Sequence, residues 1–82
     1  MTGEPSVLVV DDEPAILRFL EPALTAGGYN VATASRMAQA LKAIAARPPD
    51  LVVLDLGLPD GDGKDLIRKV REWSDVPIIV LS

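Results

Sequence analysis

At 82 residues, 49% of them hydrophobic, the chain has the apolar content for one small domain and no more. It contains no cysteine and no histidine, which excludes disulfides, thiolate chemistry, histidine-ligated metals and histidine-based catalytic triads. A net charge of −4 argues against nucleic-acid binding, whose affinity rests largely on neutralising phosphates.

Residues 1–5 carry no basic flank and no long apolar stretch, so no secretory signal is read there. No apolar run approaches membrane-spanning length. The expectation is a cytoplasmic chain without a membrane partner. Residues 1–5 form a flexible arm and residues 6–82 form the domain.

The first strand is read over residues 6–10, a short apolar run ending at Val10. The first helix starts near Pro14, whose missing N–H costs nothing in a first turn, with Asp12 or Glu13 as its cap. Ile16, Leu17, Leu20 and Leu24 form its apolar stripe. Pro22 is expected to kink or shorten it, and Gly27-Gly28 to end it in a left-handed turn. A second strand follows over residues 29–34. Ser35 caps a second helix carrying Met37, Leu41 and Ile44, which stops before Pro48-Pro49. The third strand covers residues 51–55. Residues 58–63 form a loop rich in turn residues. The third helix carries Leu66, Ile67 and Val70 and ends near Trp73-Ser74, with Trp73 read as core. Its Lys64, Arg68, Lys69 and Arg71 form a solvated face. The fourth strand covers residues 76–81, with Pro77 tolerable only near its start. Residues 78–81 read as buried on both faces rather than as a sheet edge.

Strands alternating with helices imply a parallel sheet with helices on its faces. Two apolar runs then end in acids. Val7-Leu8-Val9-Val10 runs into Asp11-Asp12-Glu13, and Leu51-Val52-Val53-Leu54 runs into Asp55. Open α/β sheets place their ligand sites at the carboxyl ends of strands. If the two strands are neighbours, Asp11, Asp12 and Asp55 converge on one crevice. Two like charges ~4 Å apart repel by about 1 kcal/mol in water and about 4 kcal/mol at an effective dielectric of 20. A cation offsets that repulsion, and all-oxygen ligands favour a hard divalent ion such as Mg2+. Alone, Asp11-Asp12 could cap a helix and Asp55 could face a loop. Paired with Leu58-Pro59-Asp60-Gly61-Asp62-Gly63 at this spacing, they point to a site.

These segments, with Val76-Pro77-Ile78-Ile79-Val80-Leu81-Ser82, resemble the receiver domain of two-component response regulators. The resemblance runs from Val7 onward. It implies a flavodoxin-like open parallel sheet, order 2-1-3-4. Carried over by residue, Asp55 resembles the phosphoacceptor and Asp12 the acid that binds Mg2+ directly. Asp11 resembles the neighbour acting through a water, and Gly57 supplies the backbone carbonyl ligand. Ser82 resembles the hydroxyl that turns toward the phosphoryl group. The implied partner is a sensor histidine kinase. The implied role is not that of an enzyme. It is control of transcription through an effector domain outside this chain. The stretch from Asp55 to Gly63 and the tail from Trp73 are most similar to the winged-helix-class regulators of high-affinity potassium transport.

Against the family pattern, the sequence stops after the fourth strand. A further helix, a fifth strand with its lysine and a fifth helix are not in it, so the expectation is a partial receiver. Slow phosphorylation with little structural response follows, with self-association through the fourth strand or a bare sheet face. Three alternatives compete. One is a Mg-dependent aspartyl-phosphate phosphatase of the haloacid-dehalogenase type, which needs a second Asp where Gly57 stands. Another is a flavodoxin-like nucleotide binder, whose phosphate Asp11-Asp12-Glu13 would repel. The last is a truncated receiver acting only as an interaction module.

Overall fold

Short apolar runs make buried strands only where both of their edges are paired, and the chain does this at its first run. The computed structural model describes residues 4–81. Its elements are β1 (Ser6–Val10), α1 (Pro14–Ala26), β2 (Asn30–Ala34), α2 (Met37–Ala46), β3 (Leu51–Leu54), β4 (Gly57–Leu58), β5 (Gly61–Asp62), α3 (Gly63–Arg71) and β6 (Ile78–Val80). The sheet order is β2-β1-β3-β6 and every pairing in it is parallel. With β6 as the fourth main strand, this is the expected flavodoxin-like order 2-1-3-4.

Side chains alternate across the sheet, so each strand feeds two layers. Val7, Val9 and Val53 face α1 and pack under Leu17, Leu20 and Leu24. Leu8, Val10, Val52 and Leu54 face the other way, into a larger cluster with Met37, Ala40, Ile44, Leu66 and Val70. Fully burying such a side chain contributes roughly 1.5–3 kcal/mol.

Helix α1 departs from expectation in two places. Ile16 is 37% exposed and Phe19 70% exposed, so the stripe is Leu17, Leu20 and Leu24 without Ile16. Their spacing of three and four residues sets one face, and Ile16 falls beside it. The helix also runs unbroken through Pro22. Pro22 lies on the exposed side, where water can satisfy the carbonyl that loses its donor. Glu13 is the N-cap but makes no side-chain cap bond. The end is as expected. Gly28 is left-handed at φ +94°. The Tyr29 N–H donates to the Leu24 carbonyl and the Gly28 N–H to the Thr25 carbonyl, the Schellman pattern.

Helix α2 is not capped by Ser35. Its N-cap is Arg36, without a side-chain cap bond. Both the N–H and the hydroxyl of Ser35 donate to Gln39 Oε1 instead. The first-turn amides are capped from a distant loop. The Met37 N–H donates to Asp60 Oδ1 at 2.7 Å and the Ala38 N–H to Asp60 Oδ2 at 3.1 Å. These two donors, Met37 first, hold the Asp60 carboxyl below its ordinary 3.8, against a smaller opposing effect of burial. A depressed carboxylate pKa adds stability that is present above the unfolded-state value and lost as pH falls through the folded one. We therefore expect Asp60→Asn to flatten the acid limb of the stability curve, read by chemical denaturation from about pH 5 downward. An acid limb as steep in the variant as in the parent would show that this charge adds nothing.

The loop read over residues 58–63 forms, with Gly57 before it, a small antiparallel pair, with Gly57 opposite Asp62 and Leu58 opposite Gly61. Asp62 then caps α3 by accepting from the Lys64 N–H at 2.9 Å. The basic residues Arg68, Lys69 and Arg71 fall in the last turn, where they complement the helix dipole. Trp73 is 50% exposed rather than core. It is seven residues beyond the buried Leu66, but α3 has already ended at Arg71, so the stripe does not continue to it.

Strand β6 is shorter than expected, though Val52 N–H to Pro77 O and Leu81 N–H to Leu54 O continue the ladder at both ends. It is also not buried on both faces. Among the described residues only β3 pairs with it, and Ile79, Val80 and Leu81 are 52%, 43% and 47% exposed. The arm expected over residues 1–5 lies mostly outside the described residues. Pro5 is within them, and its carbonyl accepts the Asn30 N–H at 2.9 Å. No helix among the described residues is long and apolar enough to cross a membrane.

Candidate functional site

Because β1 and β3 are parallel neighbours, the residues that follow them emerge side by side at one edge of the sheet. Two backbone bonds fix that emergence. The Asp11 N–H donates to the Ala34 carbonyl at 3.0 Å, and the Asp55 N–H to the Val10 carbonyl at 2.9 Å. Each bond carries the ladder one residue past its strand, so both carboxylates start from rigid backbone.

The structure brings Asp11, Asp12 and Asp55 together, with one carboxylate oxygen from each within 4.8 Å of the others. Asp11 is buried, Asp12 exposed and Asp55 half-buried. Asp11 Oδ1 accepts from the Glu13 N–H at 2.9 Å, which orients the acid and turns the chain into α1. Asp55 Oδ1 accepts from the Gly57 N–H at 3.2 Å. The donor set is all oxygen and triply acidic. It fits a hard divalent cation that keeps several waters, as Mg2+ does, and it suits neither a soft metal nor an anion held alone.

Glycines shape the rim. A Cβ at Gly57 would meet nothing within 4 Å, so the space above it is open. A Cβ at Gly63 would lie 2.7 Å from the Leu56 Cα and 3.1 Å from the Asp55 carbonyl oxygen. Only glycine lets α3 start this close to the Asp55 segment. Asp55, Leu56, Gly57, Gly61, Asp62 and Lys64 line a shallow depression beside the acids. A separate groove, lined in part by Ser6, Asn30, Arg47 and Pro48, contains neither Asp11, Asp12 nor Asp55.

Of the residues singled out from sequence, the three acids converge and Gly57 sits beside Asp55 through its N–H. Ser82 lies outside the described residues. The role of Asp60 was missed. Its Pro-Asp-Gly setting signals a turn, and its partners Met37 and Ala38 are 23 and 22 residues away, beyond any local pattern.

Comparison with known proteins identifies the family and supports the fold. Residues 7–82 match the model of the response regulator receiver domain. The chain is 54% identical over 77 residues to the KDP operon transcriptional regulatory protein KdpE of Escherichia coli, covering 94% of this chain and 34% of that protein. It is 58% identical over 76 residues to the transcriptional regulatory protein KdpE of Mycobacterium tuberculosis, covering 93% of this chain and 34% of that protein. Thus the chain spans about a third of the length of these relatives. Among solved structures, the N-terminal domain of a response regulator receiver protein from Methanoculleus marisnigri superposes with a TM-score of 0.89 at 34% identity. That match covers 95% of this chain and 66% of the other.

Proposed function

The chain belongs to the response regulator receiver domain family, and on that premise we propose that Asp55 accepts a phosphoryl group from a sensor histidine kinase. The observation that carries this reading is the approach of Asp11, Asp12 and Asp55 within 4.8 Å at the carboxyl ends of adjacent parallel strands. Asp12, Asp55 and the Gly57 carbonyl would hold Mg2+, with Asp11 acting through a water. Bound there, Mg2+ would offset the repulsion between an anionic nucleophile and an anionic phosphodonor.

Asp55 supplies a carboxylate oxygen as nucleophile. The new O–P bond forms as the P–N bond to the kinase histidine breaks, leaving an acyl phosphate on Asp55. The open space over Gly57 admits the donor. Ser82 is the proposed switch hydroxyl. The chain acts here as a phosphoacceptor and not as a turnover catalyst. The phosphatase alternative would need an acid where Gly57 stands. The names of the KdpE relatives support a role in transcription control, and we extend it to potassium-transport genes. At net charge −4, this segment itself is not proposed to touch nucleic acid.

Titration with Mg2+ tests the site. Amides near residues 11–13 and 55–59 should shift in NMR spectra, with modest affinity because the ion keeps its waters. Asp12→Ala should weaken the response strongly. Shifts of equal size and midpoint in that variant would sink the assignment.

We also propose that the 82-residue chain, prepared by itself, associates with a second copy along β6. Ile79, Val80 and Leu81 expose apolar side chains on a strand paired only with β3 among the described residues. Such an edge is a template for another strand. Sedimentation at several concentrations should show concentration-dependent dimers or larger species. A monomer at every concentration would refute this.

A further inference from the structure

We infer that Asp60 is a positioning residue for the site: the β1–β3 ladder already fixes the Asp55 backbone beside Asp11 and Asp12, and the Asp60 bonds to α2 hold the Gly57 segment against Asp55. This rests on the reading of that site as a Mg2+ centre.

The two halves of the acid cluster arrive on different segments. Asp11 and Asp12 follow β1. Asp55 and Gly57 lead into the β4–β5 pair. The first half is anchored through β2, because the Ala34 carbonyl at the end of that strand takes the Asp11 N–H at 3.0 Å. The chain then passes directly into α2. The second half touches α2 again at the tip of the β4–β5 pair, where Asp60 accepts from Met37 and Ala38 at 2.7 and 3.1 Å. Asp60 thus joins the second half to the helix that grows from the first half's anchor.

Among the described residues, Asp60 makes the hydrogen bonds that join this segment to α2. The β4–β5 ladder has two residues on each side, and an isolated ladder of that size has marginal stability at best. Leu58 roots one strand in the core, at 7% exposure. At Gly61 the backbone lies so close to α2 that a Cβ would come 2.5 Å from the Met37 sulfur. The Met37 side chain is flexible and can follow the tip, so the directional contacts that seat it are the Asp60 bonds. Movement at the tip is transmitted to Gly57, which pairs with Asp62 and whose N–H touches Asp55 Oδ1 at 3.2 Å. The Asp60 side chain itself is exposed, so its value lies in these bonds and not in burial.

A helix cap without a positioning role would change stability and leave Mg2+ binding alone. The test therefore compares Mg2+ dissociation constants, by NMR titration, for the parent, Asp60→Ala, Asp60→Asn and Ser6→Ala. At the other end of β1 the Ser6 hydroxyl donates to Asp50 Oδ2 and accepts from the Asp50 N–H, each at 3.3 Å, and Ser6→Ala removes both as the control for lost polar bonds. Asp60→Ala should bind Mg2+ roughly tenfold more weakly, the lower end of the cost of removing a group that orients a metal ligand. Asp60→Asn keeps one oxygen acceptor and should fall between Asp60→Ala and the parent. Ser6→Ala should match the parent. Should Asp60→Ala fail to fold, Asp60→Asn decides. Its Met37 and Ala38 amides should exchange faster with solvent and its Mg2+ affinity should fall with them. Faster exchange at unchanged affinity overturns the inference, as does parent-like affinity in folded Asp60→Ala or an equal loss in Ser6→Ala. A parent that binds no Mg2+ overturns the site reading itself, a separate outcome.

Discussion

Ile44→Ala should remove a large fraction of the chain's stability, whereas Phe19→Ala should be almost neutral. Ile44 is wholly buried in the cluster with Leu8, Val52, Leu66 and Val70. Truncating such a residue costs about 2–5 kcal/mol, as lost transfer energy plus a cavity that the surroundings fill only partly. Typical stability per residue gives a domain of this length roughly 4–12 kcal/mol in total. One side chain therefore carries a large fraction of the margin. In a domain this small each 1 kcal/mol moves the midpoint by about 4–8 °C, so a shift of at least ~8 °C is expected. Phe19 is larger but 70% exposed, and its loss should stay within about 0.5 kcal/mol. Chemical denaturation of both variants at one protein concentration checks the pair. Comparable losses in the two would mean that the core is not where the layers place it.

The second large effect is chemical. Asp55→Asn should abolish phosphoryl uptake while keeping the fold. The carboxamide is neutral and a poor nucleophile, and it cannot form the acyl phosphate. The same change removes one of three carboxylates whose oxygens lie within 4.8 Å of each other. Without a cation those charges repel, by about 1 kcal/mol for a pair ~4 Å apart in water. In metal-free buffer the variant should thus be as stable as the parent or slightly more so, and Mg2+ should stabilise it less. Loss of phosphorylation in a folded chain that Mg2+ stabilises less separates chemistry from stability. A variant that loses its fold would mean that Asp55 is chiefly structural.

The acid cluster was legible because its logic is local. A branched apolar run of four or five residues is a buried strand, and the acid after it must stand at the strand's carboxyl end. Val7 to Val10 and Leu51 to Leu54 obey this, and Asp11 and Asp55 followed. That β1 and β3 are neighbours came from the family resemblance and not from the runs themselves. What stayed hidden depends on partners distant in sequence or on where helices stop. Asp60 caps a helix that begins 23 residues before it. Trp73 keeps the spacing of the α3 stripe, yet the helix ends before reaching it. Ile16 is as apolar as Leu17, and only the position of the sheet decides which of them is covered. Residues 78–80 have the composition of a strand buried on both faces, but composition does not record which pairings are made. Pro22 illustrates the same point for backbone rules. A proline that would break a buried helix is accommodated on a solvated one.

Acetyl phosphate and Mg2+ added to the folded chain, followed by intact-mass analysis, bear on all of this at once. The parent should gain the mass of one phosphoryl group. The gain should require Mg2+ and be absent in Asp55→Asn. A folded parent that binds Mg2+ but gains no mass, or an Asp55→Asn chain that gains it equally, would show that the acids converge for some other purpose than phosphoryl transfer to Asp55.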